Sequence, residues 1–196
     1  MSNISIEQIK KLKELSGVGL TDAKQALVEA DGDFDKALDA MRKKGLTKAE
    51  KRGDRETREG IIESYIHDGR LGAIVEVNCE TSFVAKTDEF KDLAHKIAMQ
   101  IASMNPLYVS EEDIPTEIMS AKMAELESNF KGPENMKEQI LSGQVKKAFS
   151  DKVLLNQPYI LDDSKTVAEF IKDNIAKTGE NITIRQFKRI ELGVTE

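Results

Sequence analysis

GIIESYIHDGRLGAIVEVNCETSFVAKTDEF, residues Gly60–Phe90, carries two apolar runs, a turn and the start of an amphipathic stretch. The runs Gly60–His67 and Leu71–Cys79 stand on either side of Asp68-Gly69-Arg70, and an Asp-Gly pair between apolar runs predicts a β-hairpin. In the second run Leu71, Ala73, Val75, Val77 and Cys79 share one parity, so one face of that strand is apolar. Thr87–Met104 then places Phe90, Leu93, Ala94, Ile97, Ala98 and Ile101 at helical spacing, until Asn105-Pro106 stops the helix. Between strand and helix sit Ser82, Phe83, Val84 and Ala85. Only 5% of the chain is aromatic, so a ring at this junction needs a reason. It is either a plug for the core or a side chain offered to a partner.

Downstream, helices are predicted over about Pro115–Asn129 and Pro133–Lys147. Asp163-Ser164-Lys165-Thr166 reads as a further helix start, with Val167, Phe170, Ile171 and Ile175 as its stripe and Gly179 as its end. Asn181–Leu192 (NITIRQFKRIEL) reads as a last strand, whose alternation falters at Gln186–Lys188 as at a bulge or an edge. Two early strands, one late strand and helices between them make the fold class α+β with a small antiparallel sheet.

Upstream, residues 1–45 read as three short helices. Ser5-Ile6-Glu7-Gln8 is a capping-box pattern, and Ile6, Ile9, Leu12 and Leu15 follow on one face. Ser16-Gly17 ends that helix, Val18-Gly19-Leu20 forms a tight turn, and Thr21 is placed to cap the next helix with Asp22 at its positive end. Ala23, Ala26, Leu27 and Ala30 form the second stripe; Phe34, Ala37, Leu38 and Met41 form the third, in a helix ending at Lys43-Lys44-Gly45. The stretch Leu46–Glu59 lacks apolar periodicity and reads as a charged linker or an exposed helix. The expected organisation is therefore a module at 1–45, a linker at 46–59 and a main domain at 60–196.

The 196 residues hold 29 Lys+Arg and 35 Asp+Glu, a net charge of −6. Residues 1–58 carry a net +2 and the remainder a net −8, with eight basic and three acidic residues in Arg42–Arg58. That tract is either a solvated linker or a nucleic-acid footprint, and no aromatic residue is interleaved for base stacking. No apolar run approaches the roughly 20 residues of a membrane span. One cysteine, Cys79, permits no intrachain disulfide and no thiolate cluster, so a cytoplasmic, soluble protein is expected.

Catalytic chemistry finds little footing. Gly17-Val18-Gly19 lies between helices with no Gly-Lys-Ser/Thr after it, so it is not a phosphate loop. The two histidines, His67 and His95, form no metal-ligand spacing with each other or with Cys79. A Cys79–His67 nucleophile pair remains open beside the plainer reading of a core cysteine. No catalytic residue, metal or cofactor is assigned. A helical adaptor binding RNA through Arg42–Arg58 and a small thiol enzyme are the alternative functions.

Four stretches, Leu15–Leu27 (LSGVGLTDAKQAL), Asp31–Lys44 (DGDFDKALDAMRKK), Gly69–Ala85 (GRLGAIVEVNCETSFVA) and Gln157–Val167 (QPYILDDSKTV), resemble, in order, the signatures of the elongation factor Ts family. The resemblance implies a three-helix, ubiquitin-associated-like N-terminal module followed by a core whose three-stranded antiparallel sheet is packed with helices. It implies guanine-nucleotide exchange on elongation factor Tu, no covalent chemistry and no direct contact with nucleotide or nucleic acid. A single copy of the Gly-Arg-Leu-Gly strand motif resembles the short form, which implies a homodimer built around the core sheets. Carried onto this sequence, Leu12, Val18, Gly19 and Leu20 contact the partner's nucleotide-binding domain. The same resemblance implies that Thr81, Ser82, Phe83 and Val84 contact it near its magnesium and phosphate site, with Phe83 inserted between its helices. The family usually has an acidic residue before this Phe, and here Ser82 stands in its place.

Overall fold

The computed structural model describes residues 4–16, 19–50, 52–130, 132–133 and 136–194. Contacts group the chain into two compact units. One comprises Met1–Ile62, Glu76–Ala94 and Glu169–Ile184; the other comprises Glu63–Val75, His95–Ala168 and Arg185–Glu196.

In the first unit three helices, α1 (Ile6–Ser16), α2 (Leu20–Glu29) and α3 (Phe34–Glu50), enclose Ile9, Leu12, Ala23, Ala26, Leu27, Ala37 and Met41. Small alanine faces let such short helices approach closely. The capping box at α1 forms as expected: Ser5 N–H donates to Gln8 Oε1 at 2.9 Å, and Gln8 N–H donates to Ser5 Oγ at 3.1 Å. Asp33 caps α3 by accepting from Lys36 N–H, and that bond with the Lys36 side chain holds its carboxyl below the usual range.

Two expected helix ends are displaced in this unit. Helix α2 begins at Leu20 with Gly19 as its cap, so Thr21 lies inside the first turn; the Gly19 carbonyl accepts from Ala23 N–H at 2.9 Å and needs no side chain. Helix α3 continues past Gly45 to Glu50. One glycine costs a helix only about 1 kcal/mol, and Leu, Lys, Ala and Glu after it favour the helix.

The sheet contains β1 (Glu59–His67), β2 (Leu71–Cys79) and β5 (Ile182–Glu191), with β2 in the centre. Asp68 and Gly69 both have positive φ, 48° and 64°, and Arg70 N–H donates to the His67 carbonyl at 2.9 Å. This is the two-residue primed turn whose twist suits a hairpin. At one end of β2, Arg70 accepts at its carbonyl from Leu192 N–H, beyond the end of β5. At the other end, Glu80 accepts from Asn181 N–H, just before β5 begins. The two strands therefore run antiparallel, and β5 is an edge strand, where faltering alternation is tolerated. The α+β class with a small three-stranded antiparallel sheet is as the sequence predicts.

Helix α4 (Ser82–Ala85) and helix α5 (Asp88–Met104) follow β2. In the second unit, α6 (Thr116–Ser128) and α7 (Lys137–Phe149) surround Ile114, Val145, Phe149 and Val153. A two-stranded ribbon, β3 (Pro158–Tyr159) with β4 (Asp162–Thr166), precedes α8 (Val167–Thr178). The helix start expected at Asp163–Thr166 is thus a strand. Gln157 explains this: it donates to the Met104 and Asp151 carbonyls, accepts from Gln100 Nε2, and its own carbonyl takes Val167 N–H. These long-range bonds hold the preceding segment extended, and the local capping signal loses.

Candidate functional site

The junction after β2 is built from hydroxyls. Thr81, in an extended conformation, is the cap of the one-turn helix α4, accepting at Oγ1 from Val84 N–H at 3.4 Å. Thr87 closes the far side: its hydroxyl donates to the Val84 carbonyl at 2.8 Å and accepts from Phe90 N–H at 3.2 Å. Thr81 is itself held by Glu180, whose Oε2 takes the Thr81 N–H at 3.0 Å and whose Oε1 takes the Thr81 hydroxyl at 2.6 Å.

On this braced turn Ala85 is buried, Thr81, Ser82 and Val84 are half-buried, and Phe83 is 84% exposed. The ring is not a core plug. Fully burying a Phe contributes about 1.5–3 kcal/mol, and here that contribution is left unused within the chain. Sequence reasoning found the four junction residues and missed Glu180, Glu80 and Asn181. Those three lie at the ends of β2 and β5, and no local pattern pairs positions so far apart in the chain.

The N-terminal candidates have different environments. Gly19 and Leu20 are exposed at the start of α2, with Leu20 50% exposed; Leu15, expected in the core, is also exposed. Leu12 has no exposed surface and can act only by holding the helices together. Val18 lies outside the described residues.

The alternatives lose ground on the same geometry. Cys79 is buried and its Sγ donates to the Thr81 carbonyl at 3.2 Å. Burial, reinforced by the Glu180 carboxylate, pushes the thiol up to about 11, opposite to what a nucleophile needs. His67 Nδ1 lies 3.0 Å from the Tyr65 hydroxyl, and His95 Nδ1 lies 3.6 Å from Glu63. In the basic tract Arg52 donates to the Ile175 carbonyl near the C-terminus of α8, Arg55 meets Glu80, and Arg58 meets Glu56. These guanidinium groups serve the fold's own carbonyls and carboxylates. Among the described residues no group of His, Cys, Asp and Glu is arranged to hold a metal ion, and no helix is long and apolar enough to cross a membrane.

A sequence model of the family described as Elongation factor TS matches residues 47–194. Elongation factor Ts of Thermotoga sp. (strain RQ2) is 49% identical over 192 residues, covering 97% of this chain and 96% of that protein. The chain belongs to the elongation factor Ts family. Elongation factor Ts of Syntrophomonas wolfei is 49% identical, over 97% of this chain and 91% of its own length. That of Desulfosudis oleivorans is 44% identical, over 98% of this chain and its full length. The helices before residue 47 thus fall within the span shared with whole elongation factor Ts proteins. Membership places the chain in the elongation stage of protein biosynthesis.

Proposed function

We propose that the chain is a guanine-nucleotide exchange factor that binds elongation factor Tu carrying GDP and promotes release of the GDP, so that GTP can rebind. The observation that carries this reading is Phe83, an exposed ring on a turn braced by Thr81 and Thr87. An exchange factor must bind the nucleotide-free partner more tightly than the loaded one, and reciprocity then weakens nucleotide binding by the same factor. A ring with two rotatable bonds, already presented on an anchored turn, is a low-entropy wedge. Burying it between the partner's helices supplies roughly 1.5–3 kcal/mol, a tenfold to hundredfold shift. Displacing the partner's magnesium ligands adds to this, because the cation neutralises the phosphates. Ser82 contributes hydrogen bonding but no charge at that contact. Leu20 and Gly19, exposed at the head of α2, form a second contact with the nucleotide-binding domain of elongation factor Tu, supported from below by Leu12.

The three helices α1–α3 are the ubiquitin-associated-like part of this factor, and residues 60–196 form its exchange and dimerisation core, working in the cytoplasm. Dimerisation is supported by one sheet face. Glu63 on β1 meets His95 on α5, and Arg189 on β5 donates to the Ala102 carbonyl on α5. Alternation turns Ile66 and Ile190 the other way, where they and Ile74 are exposed. Sedimentation of the wild type as a dimer and of Ile66→Asp as a monomer is expected; a wild-type monomer at micromolar concentration removes the dimer from the proposal.

The test of exchange is release of fluorescent GDP from elongation factor Tu. Wild-type chain accelerates it at micromolar concentration, and no acceleration would overturn the reading.

A further inference from the structure

We infer that Glu180 is a positioning residue for exchange: its carboxylate, gripping Thr81, fixes the direction in which Phe83 leaves the chain. The inference rests on Phe83 being the wedge proposed above.

Helix α4 has four residues and cannot hold itself, because a single turn fixes more backbone dihedrals than its hydrogen bonds repay. Its side-chain cap is Thr81, and a hydroxyl has one proton. The 2.6 Å bond to Glu180 Oε1 consumes that proton and leaves the oxygen a pure acceptor toward Val84 N–H. The second oxygen holds the Thr81 backbone N–H. One carboxylate thereby sets both the rotor of the cap and the plane of the Glu80–Thr81 peptide, immediately before Ser82 and Phe83. Such charge-assisted bonds are the stronger kind.

Glu180 is in turn placed by its own neighbours. Gly179, at φ +79°, ends α8 with its N–H on the Ile175 carbonyl, and Glu180 N–H reaches Thr178 Oγ1 at 3.4 Å. The neighbouring residues form the reciprocal pair, Glu80 Oε1 accepting from Asn181 N–H at 2.6 Å. Two adjacent positions on each chain segment therefore cross-link in both directions, and the Phe83 turn is registered against the start of β5.

The experiment has an arm with the partner and an arm without it. The chain contains no Trp, so Phe83→Trp provides a single tryptophan, excited selectively beyond the tyrosine band, at the wedge position. In that background Glu180→Ala and Thr81→Val are expected to lower its anisotropy, while Thr81→Ser, which keeps the hydroxyl, restores it; unchanged anisotropy in folded Glu180→Ala and Thr81→Val overturns the inference. With elongation factor Tu, Glu180→Ala is expected to slow maximal GDP release roughly tenfold. It should add little to Phe83→Ala, since it acts through the ring. A full, additive slowing in the Phe83→Ala background shows that Glu180 acts elsewhere and overturns the inference. If Glu180→Ala fails to fold, the Thr81→Val and Thr81→Ser pair carries both arms. If Phe83→Ala leaves release unchanged, the wedge itself fails, and the anisotropy arm still reports whether Glu180 orients the turn.

Discussion

Phe83 and Phe90 stand on successive helices of one junction and have opposite environments, 84% exposed and 1% exposed. Thr87, between them, bonds the carbonyl of Val84 and the N–H of Phe90, so the same hydroxyl closes the turn that offers one ring and starts the helix that buries the other. The first ring is free for a partner and the second belongs to the core.

Phe83→Ala is therefore expected to leave folding stability within about 0.5 kcal/mol of wild type, as for other surface changes. It is expected to slow GDP release by roughly tenfold to a hundredfold, as the proposed wedge requires. Phe90→Ala does the reverse in kind, lowering stability by about 3–5 kcal/mol through the cavity it leaves. Urea denaturation beside the release assay checks both. A folded Phe83→Ala with wild-type release would return the ring to an incidental role.

Two glycines are expected to respond in opposite directions to alanine. A Cβ on Gly60 would stand 2.2 Å from the Val77 carbonyl oxygen and 2.8 Å from Asn78 Cα, where the neighbouring strand cannot give way. Gly60→Ala should cost more than about 1 kcal/mol. Gly143, inside α7, meets nothing within 4 Å, and Gly143→Ala should gain about 0.5–1 kcal/mol from the lost flexibility of the unfolded chain. Shifts of the two denaturation midpoints in the same direction would contradict this.

Cys79 gives a pH dependence. Burial raises its thiol to about 11 from an ordinary 9.0, with the Glu180 carboxylate as the second cause. Between those values the folded chain keeps a proton that the unfolded chain has released. Stability from this source is complete below about pH 9 and falls as pH rises toward 11. Cys79→Ala removes the effect, so wild type loses stability more steeply than Cys79→Ala over that window. Parallel slopes would show that the thiol is not held neutral. Alkylation by iodoacetamide at pH 8 should likewise require unfolding.

Gln157→Leu tests the reason for the β3–β4 ribbon. It leaves the Met104 and Asp151 carbonyls without their donor and takes the Gln157 side-chain acceptor from Gln100. Each such hydrogen bond contributes roughly 0.5–1.5 kcal/mol, and the Gln157 side chain makes three. A loss of at least about 2 kcal/mol is expected. A change below about 0.5 kcal/mol would mean that the side chains repack around the change.

What was legible in the sequence followed from short-range physics. The Asp68-Gly69 turn, the span of β2, the capping box at Ser5, the stop at Asn105-Pro106 and the end of α8 at Gly179 each depend on residues within a few positions of one another. The order of the four motifs likewise made family membership readable, because similarity over a whole chain needs no coordinates. Where a distant partner competed with a local signal, the local reading failed. Asp163–Thr166 carries a helix-start pattern, yet it pairs with Pro158–Tyr159 in a segment tied down by Gln100 and Gln157.

The site divides in the same way. By itself the sequence determined that a hydroxyl, a phenyl ring and two small apolar residues stand where a strand becomes a helix. Only the tertiary structure decided that the ring faces outward and that Glu180, remote in the chain, grips the residue before its turn. Exposure and long-range hydrogen bonds are properties of the packed chain. They depend on which surfaces other elements have already covered, and no local spacing encodes that.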